Sequence, residues 1–206
     1  TSLNPDVLVG TVRKLVASRG RDIPVENLVS MEQLIGEYEE AAAFYQAMLE
    51  EWAGATAEDR AWAMLKLGQV WDKRGDLHEA DNWLQQALRQ LDKVRGAAPD
   101  LRGQVYSELG WLSLRRGDLT AAQQWLEQGF ALVNKTQYYS VQSSVLNRLG
   151  AVYYNRGQWA DAVRYVEQAL TLRERLGDVV GYARSLNNLG ILKWASGDWD
   201  GAQSDY

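Results

Sequence analysis

The chain has 206 residues, a formal net charge of −5 and no cysteine. That excludes disulfides and thiolate chemistry, and it argues against nucleic acid as the main partner, because phosphate binding needs clustered positive charge. No run approaches 18 apolar residues, so no segment reads as a membrane-spanning helix, and the expected location is the cytoplasm.

From the N-terminus, Asn4-Pro5-Asp6 reads as the cap and first turn of a helix running to Ser18. Residues 1–22 are therefore expected to form an N-terminal helix, the end of a preceding repeat or a cap. Residues 23–57 read as a degenerate first repeat: a short helix from Pro24 to Ile35, then one from Tyr38 to Trp52. Thr56 to Asp59 resembles a capping box. In the next block Ala63, Leu67 and Val70 share one helix face. Gly75 fits a left-handed helix stop, and Asp76 an N-cap. A second helix follows from Leu77 to Val94, with Ala80, Leu84, Ala87, Leu88 and Leu91 at helical spacing. Residues 58–99 are thus helix A, a tight turn and helix B. The unit returns at 100–140 and 141–180 and begins again at 181–206.

The recurrence is metrical. Leu-Gly stands at Leu67-Gly68, Leu109-Gly110, Leu149-Gly150 and Leu189-Gly190, with glycine-to-glycine steps of 42, 40 and 40 residues. A second glycine follows seven residues on (Gly75, Gly117, Gly157, Gly197), then an alanine five further (Ala80, Ala122, Ala162, Ala202). A constant period means stacked like units. Glycine inside a helix costs about 1 kcal/mol relative to alanine. Close approach of a neighbouring helix is the expected compensation at Gly68, Gly110, Gly150 and Gly190. The fifth helix B begins at Trp199 and the sequence stops at Tyr206. Arrays normally end in a polar capping helix, so the sequence reads as a fragment, with an open end suited to end-to-end self-association.

Leu67-Gly68, Trp71, Gly75, Leu77, Ala80, Leu84 and Ala87 resemble the tetratricopeptide repeat signature. So do Leu149-Gly150, Tyr153, Gly157, Trp159, Ala162, Val166 and Ala169. The resemblance implies an all-α, right-handed α–α superhelix of antiparallel helix pairs, with the A helices lining a concave groove. It also implies a non-enzymatic module that binds a protein or peptide segment and needs no cofactor. The period is near 40 rather than the usual 34, and Asp92 stands where many such repeats close with proline; longer helices are expected. The stretch 167–194 resembles sensor arms of bacterial multidomain signalling ATPases and regulators, and kinesin light chain arrays. This implies an arm of a larger bacterial signalling protein. A structural spacer or self-assembling array is the alternative.

Motifs for chemistry are absent. There is no Gly-x-x-x-x-Gly-Lys-[Ser/Thr] or Gly-x-Gly-x-x-Gly phosphate cradle and no Gly-x-Ser-x-Gly elbow. The single histidine, His78, reads as a solvated helix residue, and a zinc site would have to lean on carboxylates. Arg74-Gly75-Asp76 and Arg116-Gly117-Asp118 read as A–B turns. No catalytic or metal-binding residue is predicted.

At 100° per residue from each repeat glycine, positions −5, −1 and +2 form the core stripe. They read Ala63, Leu67, Val70; Val105, Leu109, Leu112; Val145, Leu149, Val152; and Ser185, Leu189, Leu192, with Ser185 alone not apolar. The roughly opposite positions −3, +1 and +4 hold Leu65, Gln69, Ser107, Trp111, Leu114, Asn147, Tyr154, Asn187, Ile191 and Trp194, with Asp72 and Ala151. Apolar anchors interspersed with amides suit a peptide, because an amide both donates and accepts. Those ten are the candidate peptide-binding residues. The resemblance places them in the groove and likens Asn147 and Asn187 to an asparagine ladder that grips peptide backbone. Packing against neighbouring A helices is the other reading of the same aromatics. The stripe itself carries no Lys or Arg; Arg115 and Arg184 flank it.

Overall fold

The computed structural model describes residues 38–94 and 98–197. The expected helices before Tyr38, the helix beginning at Trp199, and the self-associating end lie outside the described residues. Among the described residues there are eight helices and no strand: α1 (Tyr38–Glu51), α2 (Ala57–Arg74), α3 (Leu77–Leu91), α4 (Pro99–Arg115), α5 (Leu119–Val133), α6 (Tyr139–Asn155), α7 (Trp159–Leu176) and α8 (Val179–Ser196). They fall into two compact units, Thr1–Gln86 and Ala87–Tyr206, the division lying within α3.

In the first unit α1 packs on α2. Ala42, Tyr45 and Met48 meet Ala63 and Leu67, and Trp52, Trp62, Trp71 and Trp83 pack around them. The capping box forms: Thr56 Oγ1 accepts from the Asp59 N–H at 3.1 Å, and the Asp59 carboxylate accepts from the Thr56 N–H at 2.9 Å. α2 stops at Gly75, whose φ of 84° is left-handed. Asp76 caps the next helix, accepting from the Glu79 N–H at 2.9 Å. α3 ends at Leu91 rather than Val94. Its last turn tightens, with the Lys93 and Val94 N–H groups bonding three residues back to Gln90 and Leu91.

The second unit runs α4 to α8, each helix against the next, with α4 also touching α6. The A helices α4, α6 and α8 have 17, 17 and 18 residues, the added length that a 40-residue period requires. In this unit the core stripe is buried throughout, and its polar member, Ser185, has no exposed surface. Gly68, Gly110 and Gly150 of the Leu-Gly pairs are contact points. A Cβ on Gly110 would lie 2.6 Å from Leu126, and one on Gly150 2.6 Å from Val166. Each would also stand 3.2 Å from the carbonyl of the helix-B alanine, Ala122 or Ala162. Gly68 repeats this in the first unit, against Leu84 and Ala80. The glycine–alanine spacing is thus the footprint of one helix lying directly on its hairpin partner. Ala98, before Pro99, is the one non-glycine residue with positive φ (40°) among the described residues.

Candidate functional site

The ten stripe residues divide by exposure. In the first unit Leu65 is fully buried and so offers nothing at the surface. Gln69 is half-buried and accepts from Lys66 Nζ, one turn earlier, at 3.2 Å. In the second unit Ser107 is only 3% exposed. Leu114 is half-buried against the core around Leu126 and Leu149, and Trp111 is half-buried. Tyr154, Asn187, Ile191 and Trp194 are open to solvent, and Trp194 is 67% exposed. The accessible part of the stripe is therefore Tyr154 of α6 with Asn187, Ile191 and Trp194 of α8.

Beneath it runs a polar ladder between successive A helices. Arg148 Nη1 donates to Ser107 Oγ at 2.8 Å and Nη2 to Glu108 Oε2 at 2.8 Å. Its guanidinium lies 5.8 Å from the Trp111 ring centre. One repeat later Asn147 Oδ1 accepts from Ser185 Oγ at 3.1 Å and from Asn188 Nδ2 at 3.2 Å. The second rung repeats the first forty residues on, with Asn188 in the place of Arg148 and Asn147 in the place of Ser107. The charged rung is well shielded, with Arg148 and Glu108 side chains 22% and 16% exposed. Asn147 thus spends its carbonyl oxygen on the array.

Ser185 joins the ladder to the interior. Its hydroxyl donates to Asn147 and accepts from Arg173 Nη1 at 2.6 Å. Arg173, in the last turn of α7, is 7% exposed and also donates to the Gly181 carbonyl. Its Nε is buried with no partner. Burial, and then the positive charges of Arg184 and Arg148, hold its pKa below the ordinary arginine value against the opposing pull of Asp178. The one polar residue in the core stripe is thus the anchor of a buried arginine.

Arg148, Asn188 and Arg173 were not among the predicted site residues. One signal existed: two residues before each repeat glycine stand Lys66, Glu108, Arg148 and Asn188, polar in every repeat. Ser185 in an otherwise apolar stripe was another.

α6 and α8 carry Arg148, Arg184 and Lys193 and no Asp or Glu, whereas α7 between them carries Asp161, Glu167 and Glu174 together with Arg164, Arg173 and Arg175. A cavity of about 930 Å³ opens where Trp159, Asp161 and Glu167 meet Lys193 and Ser196, and it includes none of the ten stripe residues. One repeat earlier Tyr153 and Arg156 occupy the matching positions. Tyr153 packs on Tyr165 at 5.0 Å, and Arg156 reaches the Leu119 carbonyl at 3.3 Å. Among the described residues no group of three metal-ligating side chains comes together. No described helix is long and apolar enough to cross a membrane.

A family model for the tetratricopeptide repeat matches residues 23–93 and 141–206, and a second such model matches 103–128. No curated protein matches the chain in sequence. Solved structures share its fold. The crystal structure of BtubC (BKLC) from P. vanneervenii is 19% identical, with 98% of this chain and 85% of that one aligned and a TM-score of 0.73. A putative kinesin light chain of Podosopora anserina, with nearly identical repeats, is 21% identical over 87% and 88% of the two chains, TM-score 0.64. MamA is 19% identical over 85% and 88%, TM-score 0.56.

Proposed function

Because the chain belongs to the tetratricopeptide repeat family, we propose that it is a non-enzymatic interaction module that takes up a peptide segment of a partner protein on the A-helix face of α6 and α8. One observation carries this reading. Trp194, Ile191 and Tyr154, 67%, 40% and 37% exposed, lie on the stripe that the repeat register assigns to the A-helix face. Large apolar side chains on one solvent-facing stripe mark an interaction surface. Asn187, exposed beside them, adds an amide that can donate to and accept from an extended backbone. The rest of the predicted stripe serves the array: Ser107, Asn147 and Trp111 are engaged by the next A helix. A finer placement, as the sensor or scaffold arm of a larger bacterial signalling protein, rests on the resemblance of residues 167–194 to such arms.

The test is a display selection of random twelve-residue peptides on the whole chain. Each recovered peptide is then titrated by fluorescence anisotropy against the wild type, Trp194→Ala with Ile191→Ala, and a Trp159→Ala control. The reading expects the double change to abolish uptake and the control to leave it intact. Affinity indifferent to the double change would place uptake off this face, and no peptide recovered above background would favour a structural spacer.

A further inference from the structure

We propose that the polar rungs between successive A helices are the register device of the second unit: they decide which turn of one A helix stands beside which turn of the next. The apolar packing leaves that choice open. α6 brings Val141, Val145, Leu149 and Val152 into one cluster with Ala122, Leu126 and Val133 of α5. The four side chains on α6 are all aliphatic and follow one another at helical spacing. Displacing α6 by one turn, about 5.4 Å, sets Val145 where Val141 stood and Leu149 where Val145 stood. Hydrophobic attraction is non-directional, so burial alone separates the two arrangements poorly. The close contacts of Gly110 with Leu126 and of Gly150 with Val166 hold each A helix to its own hairpin partner, not to the next hairpin.

The rungs do not tolerate the same displacement. One turn either way brings Ser144 or Val152 to the level of Glu108 in place of Arg148. Glu108 and Arg148, with side chains 16% and 22% exposed, then lose each other. Parting a shielded ion pair costs far more than the intact pair contributes. The guanidinium fork adds direction, since Nη1 and Nη2 reach Ser107 and Glu108 at once, both at 2.8 Å. The second rung follows the same logic with amides. One turn of α8 would put Gly181 or Leu189 where Ser185 stands. Asn147 would lose that donor, and Arg173, 7% exposed, would lose that acceptor. In coiled coils a polar residue in an apolar seam likewise fixes register, at a cost in stability. Glu108, Arg148 and Asn188, each two residues before a repeat glycine, thus do what the hydrophobic pattern cannot.

Nitrogen–proton correlation spectra of the whole chain test this, with urea midpoints measured alongside. The variant Glu108→Leu with Arg148→Met keeps the bulk of the charged rung and removes its polarity. Amide signals of α4 and α6 should split, or broaden by exchange, from a second arrangement populated at about 10%. The urea midpoint should hold or rise, as is common when a shielded ion pair yields to apolar groups. In the wild type the Arg148 guanidinium lies 5.8 Å from the Trp111 ring centre. In the second arrangement nuclear Overhauser contacts should place Ser144 or Val152 beside that ring instead. Arg164→Gln, which removes an exposed ion pair with Asp161, should leave one sharp set. If the apolar pair does not fold, charge reversal decides: Arg148→Glu should give two arrangements, and adding Glu108→Arg should return one. One sharp set in the apolar pair or in Arg148→Glu would overturn the proposal, whatever the midpoint. So would two arrangements that both keep residue 148 beside Trp111, or that persist in the reversed pair.

Discussion

Replacing Gly150 with alanine tests whether the repeat glycines are contact points or accidents of composition. The added Cβ would sit 2.6 Å from Val166 Cγ2 and 3.2 Å from the Ala162 carbonyl, against an ordinary carbon–carbon separation of about 3.5–4.0 Å. One flank is backbone, so relief must come from Val166 or from separation of α6 and α7. Overpacking of this kind costs about 1–3 kcal/mol, while the better helix propensity of alanine returns about 1 kcal/mol. A net loss of about 1 kcal/mol is expected. Val166→Ala alone should cost about 2 kcal/mol through the cavity it leaves. The double variant should not add these losses, because the new methyl occupies the space that Val166 vacates. The expected coupling is about 1–2 kcal/mol in favour of the pair. Urea unfolding followed by circular dichroism gives all four stabilities, provided the slope m is unchanged. Losses that add to within about 0.5 kcal/mol, or a Gly150→Ala variant stabilised by its full propensity gain, would refute the close-contact account.

Three further outcomes follow from the same structure. Thr56→Ala should destabilise the first unit by about 1 kcal/mol, because it removes the acceptor for the Asp59 N–H; chemical denaturation of the chain reports it. Ala98→Gly should raise the unfolding midpoint, relieving a left-handed conformation (φ 40°) that costs an L-residue about 1–2 kcal/mol, a gain partly offset by the greater freedom of unfolded glycine. Burial raises the Tyr45 phenol above its ordinary 10.0. Above pH 10 the unfolded chain therefore holds fewer protons at this site than the folded one, so stability is intact below that pH and falls as pH rises through the folded value. Tyr45→Phe should flatten that alkaline loss in a denaturation series from pH 8 to pH 11.

What could be read from the sequence was what backbone geometry restricts to one residue type. Gly75 at φ 84° and Gly150 against Val166 admit little else, so their spacing gives away the hairpins. The Thr56–Asp59 box is legible because it is local, a matter of two residues three apart. The fate of the opposite stripe was not legible in the same way. A helical wheel places Ser107, Trp111 and Asn147 on the face away from the hairpin core. It omits the next A helix, which brings Arg148 onto Ser107 and Trp111, and Ser185 and Asn188 onto Asn147. Those partners stand some 40 residues away, and the pairing depends on how one helix sits on the next. Leu65 shows the same limit, being wholly buried on a face drawn as open. Arg173 lay further out of reach, since a basic residue in the last turn of a helix ordinarily reads as a solvated complement to its dipole.

Hydroxyl-radical footprinting with mass spectrometry tests the binding face most directly. Trp194 and Trp159, 67% and 43% exposed, should both oxidise rapidly in the unliganded chain. Saturation with a display-selected peptide should shield Trp194 and Tyr154 and leave Trp159 unchanged. Protection at Trp159 with Trp194 still reactive would place the ligand elsewhere and contradict the account.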